Sequence, residues 1–320
     1  MLSTLEILIP VFALILAGFV CRRSGVFGAE AASVLNRFVV WLGLPALLLK
    51  TMIDASWEAL NQPAFIGAFS LSCALIFVLV LIVRLASGKP LADASIDAIA
   101  GAYPNTGYIG FPLCLIAFGP ESLAPTSIAT ILVACVMFAL AIVLIEVGLH
   151  AQRSWWRLAG KVLLSLARNP LVVAPLLGVL LSVSALELPR SATTFLELLS
   201  NAASPCALVG LGLFLAERRS AGSTSNDSAT TILALVFTKL LLQPALTWWL
   251  CAHVFGLPLN LAAIATVLSA LPTGTGPFML AEYYRREAVV SSRTILLTTL
   301  VSLLTLTLLL RALLPTEAAG

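Results

Sequence analysis

Apolar stretches about 20 residues long follow one another through this chain, parted by short polar interruptions. They run near 2–21, 33–53, 63–86, 94–118, 122–147, 169–187, 191–216, 229–252, 258–281 and 288–313. A helix of about 20 residues crosses about 30 Å of hydrocarbon, and no connection between the runs leaves room for a separate soluble domain. The pattern predicts an all-α membrane protein with ten transmembrane helices.

Two connections stand out. In 148–168, Arg153, Arg157 and Lys161 recur every four residues among Trp155, Trp156, Leu158, Val162 and Leu166. That spacing predicts an amphipathic helix lying on the cytoplasmic face, its indoles at headgroup depth. The stretch 218–228, rich in Ser, Gly, Asn and Asp, predicts a flexible loop. The longer connection divides the chain into a first five-helix repeat (1–147), a linker (148–168) and a second five-helix repeat (169–320). With an odd number of spans in each half, two halves of one fold must insert in opposite senses, giving inverted repeats. Punctuation agrees with that division. Pro45 marks the second span and Pro205 the seventh, while the fourth and ninth are interrupted at Tyr103–Pro112 and Leu271–Pro277.

Composition changes the picture only by exclusion. Sixty per cent of the 320 residues are hydrophobic and 10% charged, too few charges to cover a soluble domain of this size. The net charge of +3 forms no single patch, so nucleic acid is not expected as a partner. With the N-terminus outside, fourteen of the 18 basic residues fall on inner loops and flanks, leaving Lys50, Arg190 and Arg311 outside and Lys239 within a span. The positive-inside rule therefore favours both termini on the periplasmic side of a bacterial inner membrane. Arg22 and Arg23 follow the first apolar run instead of preceding it, and Glu6 lies near its start, which favours a retained helix over a cleaved signal peptide. Six cysteines lie in or beside apolar runs without a C-x-x-C pair, and the two histidines, His150 and His253, sit near span ends. No metal site, cofactor or intramembrane enzyme is expected from them.

The chemistry is concentrated in the two interruptions. Each places two prolines and two glycines within about ten residues, Pro104 and Pro112 in one and Pro272 and Pro277 in the other. Backbone freed in this way survives at membrane depth only when buried in protein or lining a wet cavity. Each second half-helix then begins with exposed amides and a positive dipole end suited to an anion, and each first half ends in carbonyls suited to a cation or water. Asn105, Thr106 and Gly107, with Thr273, Gly274, Thr275 and Gly276, are the candidate substrate-binding positions. Pro45 and Pro205 join the four prolines above as helix-break positions. Lys239, ten residues into the eighth span, either attracts an anionic substrate or caps carbonyls freed by Pro244. No carboxylate falls within either interruption.

At these residues the sequence resembles the auxin efflux carrier family and, more distantly, the bile acid:sodium symporter fold. The resemblance is carried most specifically by Asn105-Thr-Gly-Tyr-Ile-Gly-Phe-Pro112, then by Ile7-Leu-Ile-Pro10, Leu16-Ala-Gly18 and the Leu-Pro-Ala segment around Pro45. It implies two inverted five-helix repeats with broken, crossing helices 4 and 9. It also implies a scaffold domain, a transport domain holding the crossing, and an elevator-like displacement. Asn105 would contact the substrate, and Pro104 or Pro112 with Pro272 or Pro277 would shape the crossing. Plant members of the family move auxin, and bacterial members resemble malonate or malate permeases. The function expected is thus a secondary transporter for a small organic anion such as a dicarboxylate, with an anion-binding membrane sensor as the alternative. The lipid bilayer and the anion are its expected partners, and a homodimer is left open.

Overall fold

A computed structural model describes residues 4–28, 30–54, 61–149, 170–184, 188–216, 226–286 and 288–313, with 160, 164, 167 and 168 as isolated positions. Among these residues the regular structure is helical, apart from one isolated antiparallel bridge. The helices are α1 (Thr4–Arg23), α2 (Ala31–Asp54), α3 (Pro63–Ala86), α4 (Leu91–Ala102), α5 (Thr106–Phe118) and α6 (Pro120–Leu149). They continue with α7 (Pro170–Val183), α8 (Arg190–Ala216), α9 (Ala229–Val254), α10 (Leu259–Ala270), α11 (Gly276–Tyr283) and α12 (Ala288–Leu313). Six of them, α2, α3, α6, α8, α9 and α12, are long and apolar enough to cross a membrane, and α5, α10 and part of α7 are shorter apolar helices. Most of the amphipathic linker at 148–168 and of the loop at 218–228 lies outside the described residues.

Burial runs opposite to that of a soluble protein. On α12, Leu300, Leu304 and Leu308 face outward while Ser291, Thr294, Thr298 and Ser302 are wholly buried. On α3, Leu75, Val78 and Ile82 are exposed, and Phe65, Phe69 and Phe77 fill the interior. Apolar surface on the outside gains nothing from water and suits lipid, whereas inside Thr298 Oγ1 and Ser302 Oγ donate back to carbonyls of their own helix, and Ser291 Oγ and Thr294 Oγ1 are buried without a partner.

Three prolines that would clash with the preceding turn are accommodated in the same way. Pro45, Pro112 and Pro244 each follow by two residues a widened π turn, at Val39–Gly43, Thr106–Gly110 and Thr238–Leu242. Widening moves the carbonyl that the ring would strike and tolerates the missing amide donor. Helix continues on both sides of the turns before Pro45 and Pro244, whereas the turn before Pro112 opens α5.

The helices pack into two groups, each drawn from both halves of the chain. In the first, α1 lies along α8, α2 along both α7 and α8. Backbones touch there: a Cβ added to Gly212 would stand 1.9 Å from the Ile15 carbonyl oxygen, one on Gly18 2.1 Å from that of Val209, and one on Gly178 2.7 Å from that of Leu49. Small residues permit this close approach, the usual basis of helix association in lipid. The second group joins α3 to α4, α4 to α6, α9 to α10 and α12, and α3 to α9. Its ion pairs gather on one face: Arg84 with Asp97 at 2.8 Å and Arg286 with Asp93 at 2.5 Å. The opposite face carries Lys50 with Asp54 at 2.6 Å and Asn260 donating to Glu121 at 3.1 Å.

Candidate functional site

Proline sets where both interrupted helices stop. The residue before a proline is driven out of helical conformation; Tyr103, before Pro104, is extended at φ −96°, ψ 92°, and Leu271, before Pro272, lies at φ −58°, ψ 150°. The two extended pieces then satisfy one another. Pro104 and Thr273 form the antiparallel bridge, with the Asn105 amide donating to the Pro272 carbonyl at 2.9 Å and the Gly274 amide to the Tyr103 carbonyl at 3.0 Å. The broken helices α4–α5 and α10–α11 therefore meet at their breaks.

Several carbonyls at the ends of the first halves find donors, as buried backbone requires. On α4, Ile99 O accepts from the Tyr103 amide at 3.0 Å, Ala100 O from Thr273 Oγ1 at 2.9 Å and Ala102 O from Gln243 Nε2 at 3.1 Å. On α10, Leu268 O accepts from the Leu271 amide at 3.4 Å and Ser269 O from Lys239 Nζ at 2.5 Å. Thr298 Oγ1 of α12 accepts from the Thr273 amide at 3.1 Å.

The second halves begin with donors. Asn105 caps α5 through its side chain, Oδ1 accepting from the Tyr108 amide at 3.3 Å, while its Nδ2 is buried without a partner. First-turn amides such as those of Gly107, Thr275 and Gly276 have no partner supplied by helix geometry. Gly274 and Gly276 lie against the Tyr103 ring, where an added Cβ would come within 2.9 Å of it. A Cβ added to Gly107 would meet Leu44 of α2 at an ordinary 3.4 Å. The Tyr108 hydroxyl donates to Asn36 Oδ1 on α2.

Two cavities flank this crossing, each walled on one side by α2 and α8. The first, about 200 Å³, is lined by Ser33, Asn36, Tyr108, Thr275, Phe214 and Phe278 among others. The second, about 820 Å³, is lined by Lys50, Asp54, Pro112, Glu121, Ser200 and Asn201 among others. They lie toward opposite faces, because α2 contributes residues 32–39 to the first and 47–54 to the second. Between them the helices close up: a Cβ on Gly43 would stand 3.0 Å from the Cα of Ala203.

The structure thus gathers most of the residues singled out in the sequence. Asn105, Thr106 and Thr273 are buried in the crossing, Gly274 and Gly276 stack on Tyr103, Thr275 lines the first cavity and Pro112 the second. Lys239 is fully buried and caps a carbonyl, although on α10 and not on its own turn, and it lines neither of these cavities. Asn36, Tyr108 and Gln243 were not singled out. Gln243 lies one turn from Lys239 and beside Pro244, the sole local sign of its role; Asn36 reads as a flank residue next to Arg37. Among the described residues no group of three or more His, Cys, Asp or Glu is placed to hold a metal ion.

Comparison with known proteins agrees in kind. The family described as "Membrane transport protein" matches residues 3–310. A "Putative malonate transporter" of Rhizobium meliloti (strain 1021) is 30% identical over 308 residues, 95% of this chain and 94% of the relative. An uncharacterized transporter of Escherichia coli (strain K12) is 24% identical over 74% of each chain. The "Auxin efflux carrier component 7" of Arabidopsis thaliana is 29% identical over 142 residues, 43% of this chain and 22% of the plant protein.

Proposed function

This chain belongs to the membrane transport protein family, that of the auxin efflux carriers, and from that premise we propose that it is a secondary carrier for a small organic anion. The single observation that carries the reading is the crossing itself, a pair of broken helices between two cavities that open toward opposite faces. A carrier needs a site reachable from each side in turn, and a site beside broken helices at mid-depth is a recurring solution. Asn105 supports the anion. A buried donor without an acceptor costs about 1–3 kcal/mol, and a carboxylate oxygen would remove that cost at Asn105 Nδ2. The first-turn amides at Gly107, Thr275 and Gly276 add positive dipole ends. Thr106, Thr273 and Gly274 hold the crossing in shape, with Pro104, Pro112, Pro272 and Pro277 enforcing the breaks.

The ten-span, inverted-repeat architecture belongs to the same proposal. The packing supports it: exchanging first-half for second-half spans turns the α1–α8 contact into α7–α2, α3–α4 into α9–α10, and α4–α12 into α10–α6, all of which occur. The frame of α1, α2, α7 and α8 is the scaffold, and the remaining helices form the body that moves. Residues 1–147 and 169–320 are the repeats, with the linker 148–168 and both chain ends placed as the basic residues dictate, in a bacterial inner membrane. For the substrate we take a small dicarboxylate of the malonate kind, the class named for the Rhizobium relative.

Reconstitution into liposomes tests the reading. Radiolabelled malonate should exchange across the membrane faster than in protein-free liposomes, and an imposed potential should bias its movement. Malonate binding without flux would replace the carrier with a sensor.

A further inference from the structure

Lys239 is the feature that the anion site leaves unexplained. Its side chain is fully buried and donates to Ser269 O at 2.5 Å; no carboxylate pairs with it among the described residues. An ammonium at such depth is very costly unless something negative faces it. Here the negative partner is the carbonyl end of half-helix α10, where unpaired C=O groups and the dipole concentrate partial negative charge. The widened turn at Thr238–Leu242 aims α9 at both half-helix ends together: Lys239 reaches the end of α10, and Gln243, one turn on, reaches Ala102 O at the end of α4 at 3.1 Å. The α4 end is closed by neutral donors, Thr273 Oγ1 and Gln243 Nε2, so the charge is supplied at α10 alone.

Carbonyl ends at a helix break are where a transporter of this general design would coordinate a sodium ion or a proton. We propose that the Lys239 ammonium is the resident cation of this crossing, occupying the coordination that a co-transported metal cation would need and making the carrier independent of sodium. The inference rests on the carrier reading for its meaning in transport, but its first test does not need a substrate. A tethered cation keeps the carbonyl ends neutralised in every state of the cycle, so the crossing has no vacancy to refill. The anion then moves with its own charge, driven by its gradient and the membrane potential.

Sodium chloride itself is the probe. In the purified full-length protein, replacing sodium by N-methylglucamine at constant ionic strength should leave the melting temperature unchanged, and malonate flux in liposomes should be equally indifferent. A saturable sodium-dependent rise in wild-type stability would overturn the proposal even if no malonate flux were ever seen. Absence of flux alongside an indifferent melting temperature would count against the carrier reading only. Two variants test the charge. Lys239→Arg keeps it and should retain accumulation and the sodium indifference. Lys239→Met keeps the length and apolar stem, and should lose roughly tenfold or more in flux, or fail to accumulate, because the carbonyl end is left bare. If Lys239→Met accumulates, its melting temperature should now rise with sodium. Wild-type behaviour of Lys239→Met in both assays would sink the idea, and if neither variant folds, the wild-type ion replacement decides alone.

Discussion

Asn105 does two jobs with the two ends of one amide, and substitution separates them. Its Oδ1 caps α5 and its Nδ2 is the buried donor left without a partner. Asn105→Asp preserves the cap and replaces the donor with a negative charge. It should keep the melting temperature within a few degrees while weakening malonate binding by roughly tenfold or more, since a buried like charge opposes the anion. Asn105→Ala loses both ends and should cost about 1 kcal/mol in stability besides affinity. Calorimetric titration of malonate with melting curves on the same samples checks both; unchanged binding in Asn105→Asp would remove the residue from the site. That Asn105 lies at the helix break was legible in the sequence, because it sits between Pro104 and the following Thr-Gly. The direction of Lys239 was not legible. A lysine in a span shows only that it needs a partner, and the partner is a backbone carbonyl 30 residues further on, a group every residue carries and no pattern marks.

At the scale of helices, what could be read and what could not divides by range. Spans and breaks follow from local chemistry: hydrophobic run length sets the first, and the residue before each proline sets the second. The π turns preceding Pro45, Pro112 and Pro244 follow from the same ring clash, although only proline's position, not the widened turn, is visible in sequence. Contacts between helices are another matter. Asn36 meets Tyr108 from 72 positions away and Gln243 meets Ala102 from 141, and nothing local records such pairings. The α1–α8 seam is the clearest case, since Gly18 and Gly212 look like any other glycines in apolar runs. Gly212→Ala would set its Cβ 1.9 Å from the Ile15 carbonyl oxygen, against backbone that cannot swing aside. The helices must separate, so stability should fall by about 1–3 kcal/mol or more. Gly28→Ala, with nothing within 4 Å, should be neutral in the same melting assay.

For the molecule as a whole, the two helix groups of the proposed carrier make its movement testable. The polar side-chain pairs described above mostly stay within one group. Lys50 and Glu197 tie α2 to α8 at 3.7 Å, while Arg84–Asp97, Arg286–Asp93 and Asn260–Glu121 bind the other helices to one another. Only Tyr108–Asn36 among them joins the two groups, and it does so in the wall of the first cavity. On the proposed elevator reading, a body held by internal ion pairs, and joined to its frame by Tyr108–Asn36 alone among the pairs named here, would slide without breaking its own charge pairing, a low-cost displacement in a low-dielectric interior. Sidedness of thiol labelling follows. Cys21 and Cys206, the two cysteines that are not buried, are first replaced by serine, and single cysteines are placed at Ser33, Asn201, Thr275 or Pro112. Ser33→Cys and Asn201→Cys belong to the frame, one in each cavity, and should react with an impermeant thiol reagent from opposite sides, unchanged by malonate. On the proposed displacement, Thr275→Cys and Pro112→Cys would travel with the crossing and should gain reactivity from the second side during malonate exchange. If all four keep one side throughout turnover, the crossing does not travel relative to α2 and α8, and gating around a stationary site takes the place of the elevator.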